Sequence, residues 1–168
     1  MPIVEPEVLM DGAHDIERCA VVTARTLQRT FAELVDHRIA LDGMVLKPNM
    51  VISGMKCDRQ ASVEEVAEAT VECLTANVPE AVPGIAFLSG GQSDVDATAH
   101  LNAMNRLGPH PWELSFSYGR ALQAAALGAW AGRSENYSAG QSAFALRARL
   151  NGLARTGSYE SSMELVAA

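Results

Sequence analysis

Aromatic residues are scarce, nine in 168, while alanine recurs throughout. That balance favours closely packed helices over a β-sandwich core. Cysteine is also sparse. Cys19, Cys57 and Cys73 lie apart without a Cys-x-x-Cys pair, which excludes a disulfide framework or zinc knuckle and points to reduced thiols in a cytoplasmic protein. Basic residues are outnumbered, thirteen Lys and Arg against twenty Asp and Glu, for a net charge of -7. A general nucleic-acid binder carries the opposite balance. No apolar run is long enough to cross a bilayer. The longest, from Ala121 to Ala131, is broken by Gln123. The amino terminus lacks the basic and apolar regions of a signal peptide. The four histidines, His14, His37, His100 and His110, show no metal-ligand spacing. Hydrophobic residues still reach 48%, so the chain has the means to bury a core.

Four short apolar runs punctuate the chain: Pro2–Glu7, Met44–Asn49, Gly84–Gly90 and Glu113–Gly119. Each has strand length. Between them lie stretches with helical spacing, such as Asp15–Val35, where Ile16, Cys19, Thr23, Leu27, Phe31 and Leu34 recur every three or four residues. Ser62-Val63-Glu64-Glu65 is a capping box opening a helix to Val78. Ser93 with Asp96 starts a third helix ending near Arg106. Two more are predicted over Arg120–Trp130 and Asn136–Ala154. The order β-α-β-α-β-α-β-α-α means parallel strands joined by crossovers. A doubly wound sheet and half of an eight-stranded barrel both satisfy it. Polar groups end every strand, and chemistry converging on a C-terminal rim favours the barrel. We therefore expect an α/β chain of four consecutive units, spanning 1–156, followed by a flexible tail at 157–168.

Several of these strand ends carry candidate chemistry. Lys47 closes Val45-Leu46-Lys47 and points inward by alternation. Burial disfavours an ammonium, and the neutral amine attacks carbonyls to form a Schiff base. A strand-end lysine reaching back to solvent fits Val45-Leu46-Lys47-Pro48-Asn49 equally. Glu5 and Glu7, two residues apart, share a face. Together they are an acid–base pair, a metal site or two solvated acids. Ser89-Gly90-Gly91 precedes a capped helix and reads as a phosphate cradle or an ordinary turn. Ser117-Tyr118-Gly119-Arg120 repeats the arrangement, with a guanidinium fork added by Arg120.

In order, these motifs are Pro2-Ile3-Val4-Glu5-Pro6-Glu7, Leu46-Lys47-Pro48-Asn49-Met50-Val51, Phe87-Leu88-Ser89-Gly90-Gly91-Gln92-Ser93 and Phe116-Ser117-Tyr118-Gly119-Arg120-Ala121-Leu122-Gln123. Together they closely resemble the C-terminal half of class I fructose-1,6-bisphosphate aldolase, from Pro2 to about Tyr159. The resemblance implies strands five to eight of a TIM barrel, a (β/α)8 fold, and a glycolytic lyase that works without metal or other cofactor. Lys47 would be the Schiff-base lysine, Glu5 the acid/base and Glu7 an aid in positioning the lysine. Leu88, Ser89, Gly90, Ser117, Gly119 and Arg120 would bind the phosphate and hydroxyl groups of a phosphorylated sugar. The family's N-terminal half supplies further catalytic and phosphate-binding groups that this stretch lacks. The family's usual C-terminal tyrosine is not expected among these residues, whose last tyrosine is Tyr159. Met1 directly before Pro2 is expected to mark a truncated, alternative or split gene product. Expected partners are the sugar phosphate and a second copy or an N-terminal half, with no nucleic acid or membrane. The alternatives are an inactive phosphate-binding or assembly fragment of the fold and, less favoured by the motifs, a transaldolase-like enzyme.

Overall fold

A computed structural model describes residues 1–167. Four strands, β1 (Ile3–Val4), β2 (Val45–Leu46), β3 (Gly84–Phe87) and β4 (Glu113–Phe116), form one sheet in the order β1-β2-β3-β4, every pair parallel. The helices are α1 (Ile16–Asp36), α2 (Val63–Asn77), α3 (Asp94–Arg106), α4 (Arg120–Trp130) and α5 (Tyr137–Ala154). Three short 3-10 turns join or follow them: Leu41–Gly43, Ser134–Asn136 and Ser161–Ala167. A doubly wound sheet reverses its strand order at a switch point. Here each strand lies beside its sequence neighbour, and the helices follow suit, α1 against α2, α2 against α3, and α3 against α4 and α5. This is a section of a (β/α)8 barrel.

The strands are shorter than the apolar runs that predict them. Pro6 and Pro48 lack the N–H that would continue the ladder, and the chain turns into rim loops there. Parallel pairing nevertheless runs past the strand ends: Lys47 N–H donates to Val4 O at 2.8 Å, Leu88 N–H to Pro48 O at 3.0 Å and Ser117 N–H to Phe87 O at 2.8 Å. Register then divides the side chains. Val4, Leu46, Ile85 and Leu114 stand opposite one another on one face. The last three are fully buried in a core with Leu27, Leu74, Leu101 and Met104 from the helices. Ile3 and Val45, like Ala86 and Ser115, pair on the other face, the inner wall of the barrel.

Capping begins most helices where the sequence places it. Asp15 Oδ1 accepts from Arg18 N–H at 2.8 Å, and Ser93 Oγ accepts from Asp96 N–H at 3.0 Å. The Ser62–Glu65 box is complete, with reciprocal bonds of 3.2 and 2.8 Å. Among the described residues no helix is long and apolar enough to cross a membrane.

Two residues of the stretch expected to be a loose tail, Tyr159 and Glu164, are anchored to the helices. Tyr159 is buried. Its N–H donates to Asn102 Oδ1 at 2.9 Å, and its hydroxyl donates to Glu164 Oε1 at 2.9 Å. Arg147, buried on α5, grips Glu164 with two bonds of 2.8 Å and lies 3.3 Å from Asp94. Small polar residues conceal these two anchors in the sequence. Removing one partner of a buried pair strands the other charge. Asp94 still compensates Arg147 in part, so Glu164→Ala should lower unfolding stability by about 2–3 kcal/mol. Urea denaturation checks this, and an unchanged midpoint would show that the segment contributes nothing.

Candidate active site at the barrel rim

The inner-wall register that pairs Ile3 with Val45 carries Glu5 to the level of Lys47. Their side chains meet, with Lys47 Nζ 3.0 Å from Glu5 Oε1. The lysine side chain retains 20% of its exposure and the glutamate 47%, so the amine sits in a recess while the carboxylate faces the open side. A carboxylate at this distance stabilises an ammonium and is also placed to exchange a proton with it.

Two residues that the sequence reading did not assign hold this meeting in place. Asn49 is buried, and its amide is fully used: Oδ1 accepts from Val8 N–H at 3.1 Å, and Nδ2 donates to Thr23 Oγ1 at 2.9 Å and to Met50 O at 3.1 Å. One side chain thereby ties the chain beyond β1 to the end of β2 and to α1. Thr70, buried on α2, accepts from Val51 N–H at 2.9 Å. Asn49 was visible within Lys-Pro-Asn-Met; its long-range partner at Val8 was not.

Glu7 does not reach the lysine. No ion pair joins them among the described residues, and the Glu7 carboxylate lies beside Gly90 instead. A Cβ built on Gly90 would stand 3.3 Å from both Glu7 Oε1 and Leu88 Cδ1. β3 thus ends closely against the β1 loop at Gly90. The next residue, Gly91, adopts φ +78° and leaves room for Met10, which a side chain would fill.

The β3 and β4 ends lie side by side. Register Phe87↔Phe116 extends to Leu88 and Ser117 through the Ser117 N–H bond. Leu88 and Ser89 are buried, Gly90 and Ser117 half-buried, and Gly119 and Arg120 exposed. α4 differs from α1, α2 and α3 in one respect. Its N-cap is Gly119, with no side-chain cap. Its first-turn N–H groups are therefore without a side-chain acceptor, as at helix starts that receive anions. Arg120 makes no ion pair among the described residues, unlike a surface arginine paired with a neighbouring acid. Among those residues, no group of three or more His, Cys, Asp and Glu is gathered as metal ligands.

The fold and rim define a partial α/β barrel with a lysine–carboxylate pair and, beside it, two adjacent glycine-bearing strand ends. A family model described as "Fructose-bisphosphate aldolase class-I" matches residues 1–168. Fructose-bisphosphate aldolase 1 of Toxoplasma gondii is 55% identical over 159 residues, covering 95% of this chain and 44% of its own length. Fructose-bisphosphate aldolase B of Gallus gallus is 55% identical over 163 residues, covering 96% and 45%. A crystal structure of Plasmodium falciparum fructose-bisphosphate aldolase, in complex with TRAP and a small-molecule inhibitor, superposes with a TM-score of 0.92 at 48% identity, covering 96% and 46%. The chain belongs to the class-I fructose-bisphosphate aldolase family. It spans less than half the length of these relatives and corresponds to their C-terminal part.

His100 supports the rim from behind. It is buried on α3, and its Nδ1 donates to Gln92 Oε1 at 2.7 Å, just after the Ser89–Gly91 turn. Burial lowers its pKa from 6.5 to about 4, against an opposing pull from Asp96 and Glu64. The unfolded chain takes up the proton first. The stabilising difference is therefore complete above pH 6.5 and is lost as pH falls toward 4. Between pH 7 and pH 4.5 His100 should account for about 2–3 kcal/mol of lost stability. His100→Gln should flatten that part of the urea-midpoint profile, and an identical slope in both proteins would contradict the assignment.

Proposed function

We propose that this chain carries the Schiff-base half of a class I aldolase, cleaving fructose 1,6-bisphosphate reversibly to dihydroxyacetone phosphate and glyceraldehyde 3-phosphate. The observation that carries the reading is the 3.0 Å contact of Lys47 and Glu5 on the barrel's inner wall. In this scheme Glu5 takes a proton from the Lys47 ammonium, and the free amine attacks the C2 carbonyl of the sugar. Glu5 then returns a proton to the carbinolamine hydroxyl, which leaves as water and gives the iminium. Glu5, now a carboxylate again, takes the C4 hydroxyl proton as the C3–C4 bond breaks with its electron pair drawn into the iminium, so the aldehyde departs and an enamine remains. Return of that proton to C3 and hydrolysis of the iminium by water release dihydroxyacetone phosphate and restore Lys47. Glu7 acts through Gly90 on the cradle rather than by direct contact with the lysine.

Phosphate binding is assigned to the backbone N–H groups of Ser89 and Gly90, the uncapped start of α4 at Gly119, and the Arg120 guanidinium, with Leu88 and Ser117 forming the wall. The three cysteines are free thiols, which suits a cytoplasmic setting. Relatives are more than twice as long, and their other half closes the site in the barrel scheme. For the isolated chain we therefore expect turnover far below the usual range of about 1–1000 per second, with Schiff-base formation retained.

Borohydride trapping with dihydroxyacetone phosphate, followed by peptide mass mapping, tests the assignment. Labelling should appear at Lys47 and vanish in Lys47→Met. Labelling at Lys56 with Lys47 untouched would overturn it. Separately, Arg120→Ala should weaken dihydroxyacetone phosphate or inorganic phosphate binding by about tenfold or more, as expected for losing a charge-assisted bond of roughly 1.5–3 kcal/mol. Equal NMR titrations of the two proteins would remove Arg120 from the cradle.

A further inference from the structure

The starts of α2 and α3 and the loops after β2 and β3 surround a cavity of about 270 Å³. It shares no lining residue with the Lys47–Glu5 pair or the Arg120 loop. Ile52 and Val66 give it apolar wall, and polar side chains come from both loops and from α3. A water in the liquid takes about 30 Å³, so the volume equals that of roughly nine waters and suits a small organic molecule.

The polar groups have hydrogen-bonding capacity that the fold does not use. His100 is only 7% exposed, and its Nδ1 proton goes to Gln92 Oε1, so the neutral ring keeps a lone pair at Nε2. Gln92 Nε2 is enclosed and, among the described residues, has no acceptor. An unmet buried amide is costly unless a ligand uses it. Gln60 spends its amide N–H groups on Gly54 O at 3.0 Å and Cys57 O at 3.1 Å, which leaves Oε1 to accept. Ser62 Oγ accepts from Glu65 N–H and still has its own proton to give. Asp96 takes the Ser93 hydroxyl on Oδ2 at 2.7 Å, which leaves Oδ1.

Charge narrows the ligand. No Lys or Arg lines the cavity, whereas Asp96 does, and Asp96 and Glu64 both pull on His100. Burial outweighs that pull and keeps the ring neutral, its pKa lowered to about 4. Anions are therefore disfavoured. A small ammonium would satisfy the acceptors but leave the Gln92 amide unmet. A hydroxyl group both gives and accepts, and several on one short chain match Ser62 and Gln92 as donors with Gln60, Asp96 and His100 as acceptors.

We infer that this cavity binds an uncharged polyol of about four carbons, an unphosphorylated sugar or sugar alcohol, with its hydroxyls on Gln92, Asp96 and His100 and its C–H face on Ile52 and Val66. The site stands on the cavity and its unmet groups, and not on the chemistry of Lys47 or on phosphate binding at the rim.

Erythritol is the probe. It lacks a carbonyl, so it cannot condense with Lys47. In an NMR titration of the full chain it should shift the Gly91 backbone amide, the Gln92 side-chain amide and the His100 ring signals saturably. Erythronate, the same carbon chain ending in a carboxylate, should leave them in place. Ala61→Phe puts a ring into the cavity from a half-buried position and keeps the Ala61 N–H bond to Ser53 Oγ, and Gln92→Leu removes the unmet amide. Each should raise the erythritol Kd by about tenfold or more, with circular dichroism confirming that the variants fold. Shifts that grow without saturating, wild-type affinity in both variants, or erythronate binding as well as erythritol would each overturn the inference. Saturable shifts confined to Lys47 and Arg120 would put the polyol at the rim and overturn it too.

Discussion

The parallel register between β1 and β2 is the constraint on which the rest depends. Val4 opposite Leu46 anchors both strands in the core. The same register obliges Ile3, Val45 and the two groups that follow them, Glu5 and Lys47, to share the opposite face. A slip of one residue would turn every one of these side chains to the other face. Two-residue strands give little register energy of their own. The work is shared with Asn49, whose amide spans both strand ends and α1, and with the Lys47 N–H bond to Val4 O. The lysine and its carboxylate are thus positioned by backbone pairing and a buried amide rather than by contact with each other alone.

Beyond that pair, the rim is assembled by close backbone approaches. Gly54 stands so near Gly12 that a Cβ there would come within 2.3 Å of the Gly12 carbonyl oxygen, and Gly91 admits Met10. The loops after β1 and β2 are joined by Gly54 N–H to His14 O at 2.8 Å and Met55 N–H to Met10 O at 2.8 Å. These contacts fix the first three loops to one another. The fourth carries Gly119 and Arg120, both exposed, and lies at the free edge of the sheet. The same edge leaves most of α4 uncovered, so exposure of this loop and exposure of the apolar helix share one geometric origin.

Much of this was legible in the residues. Strand-length runs between capped helices gave four βα units, and Ser62 with Glu65 placed the start of α2 because a capping box is a local interaction. Lys47 and Glu5 were legible as inward-facing by alternation. Three features were not. The strands contract where Pro6 and Pro48 interrupt pairing, which apolar composition does not reveal. Glu7 lies beside Gly90 at the end of β3, a long-range neighbour that alternation along β1 does not reveal. The segment after Gly157 looks loose in composition, yet Tyr159 and Glu164 dock it through partners 57 and 17 residues away, on α3 and α5. Contacts of that range depend on the folded chain and leave no local pattern.

The role proposed for Lys47 is that of the amine that engages a sugar-phosphate carbonyl. Carbon-13 NMR with dihydroxyacetone phosphate labelled at its carbonyl carbon addresses it most directly. Wild-type protein should show an iminium resonance distinct from the free ketone and its hydrate, correlated with the Lys47 Nζ when lysine is nitrogen-15 labelled, and Lys47→Met should show only the free forms. The same iminium resonance in Lys47→Met, or its absence in the wild type complemented by an N-terminal half, would contradict the account.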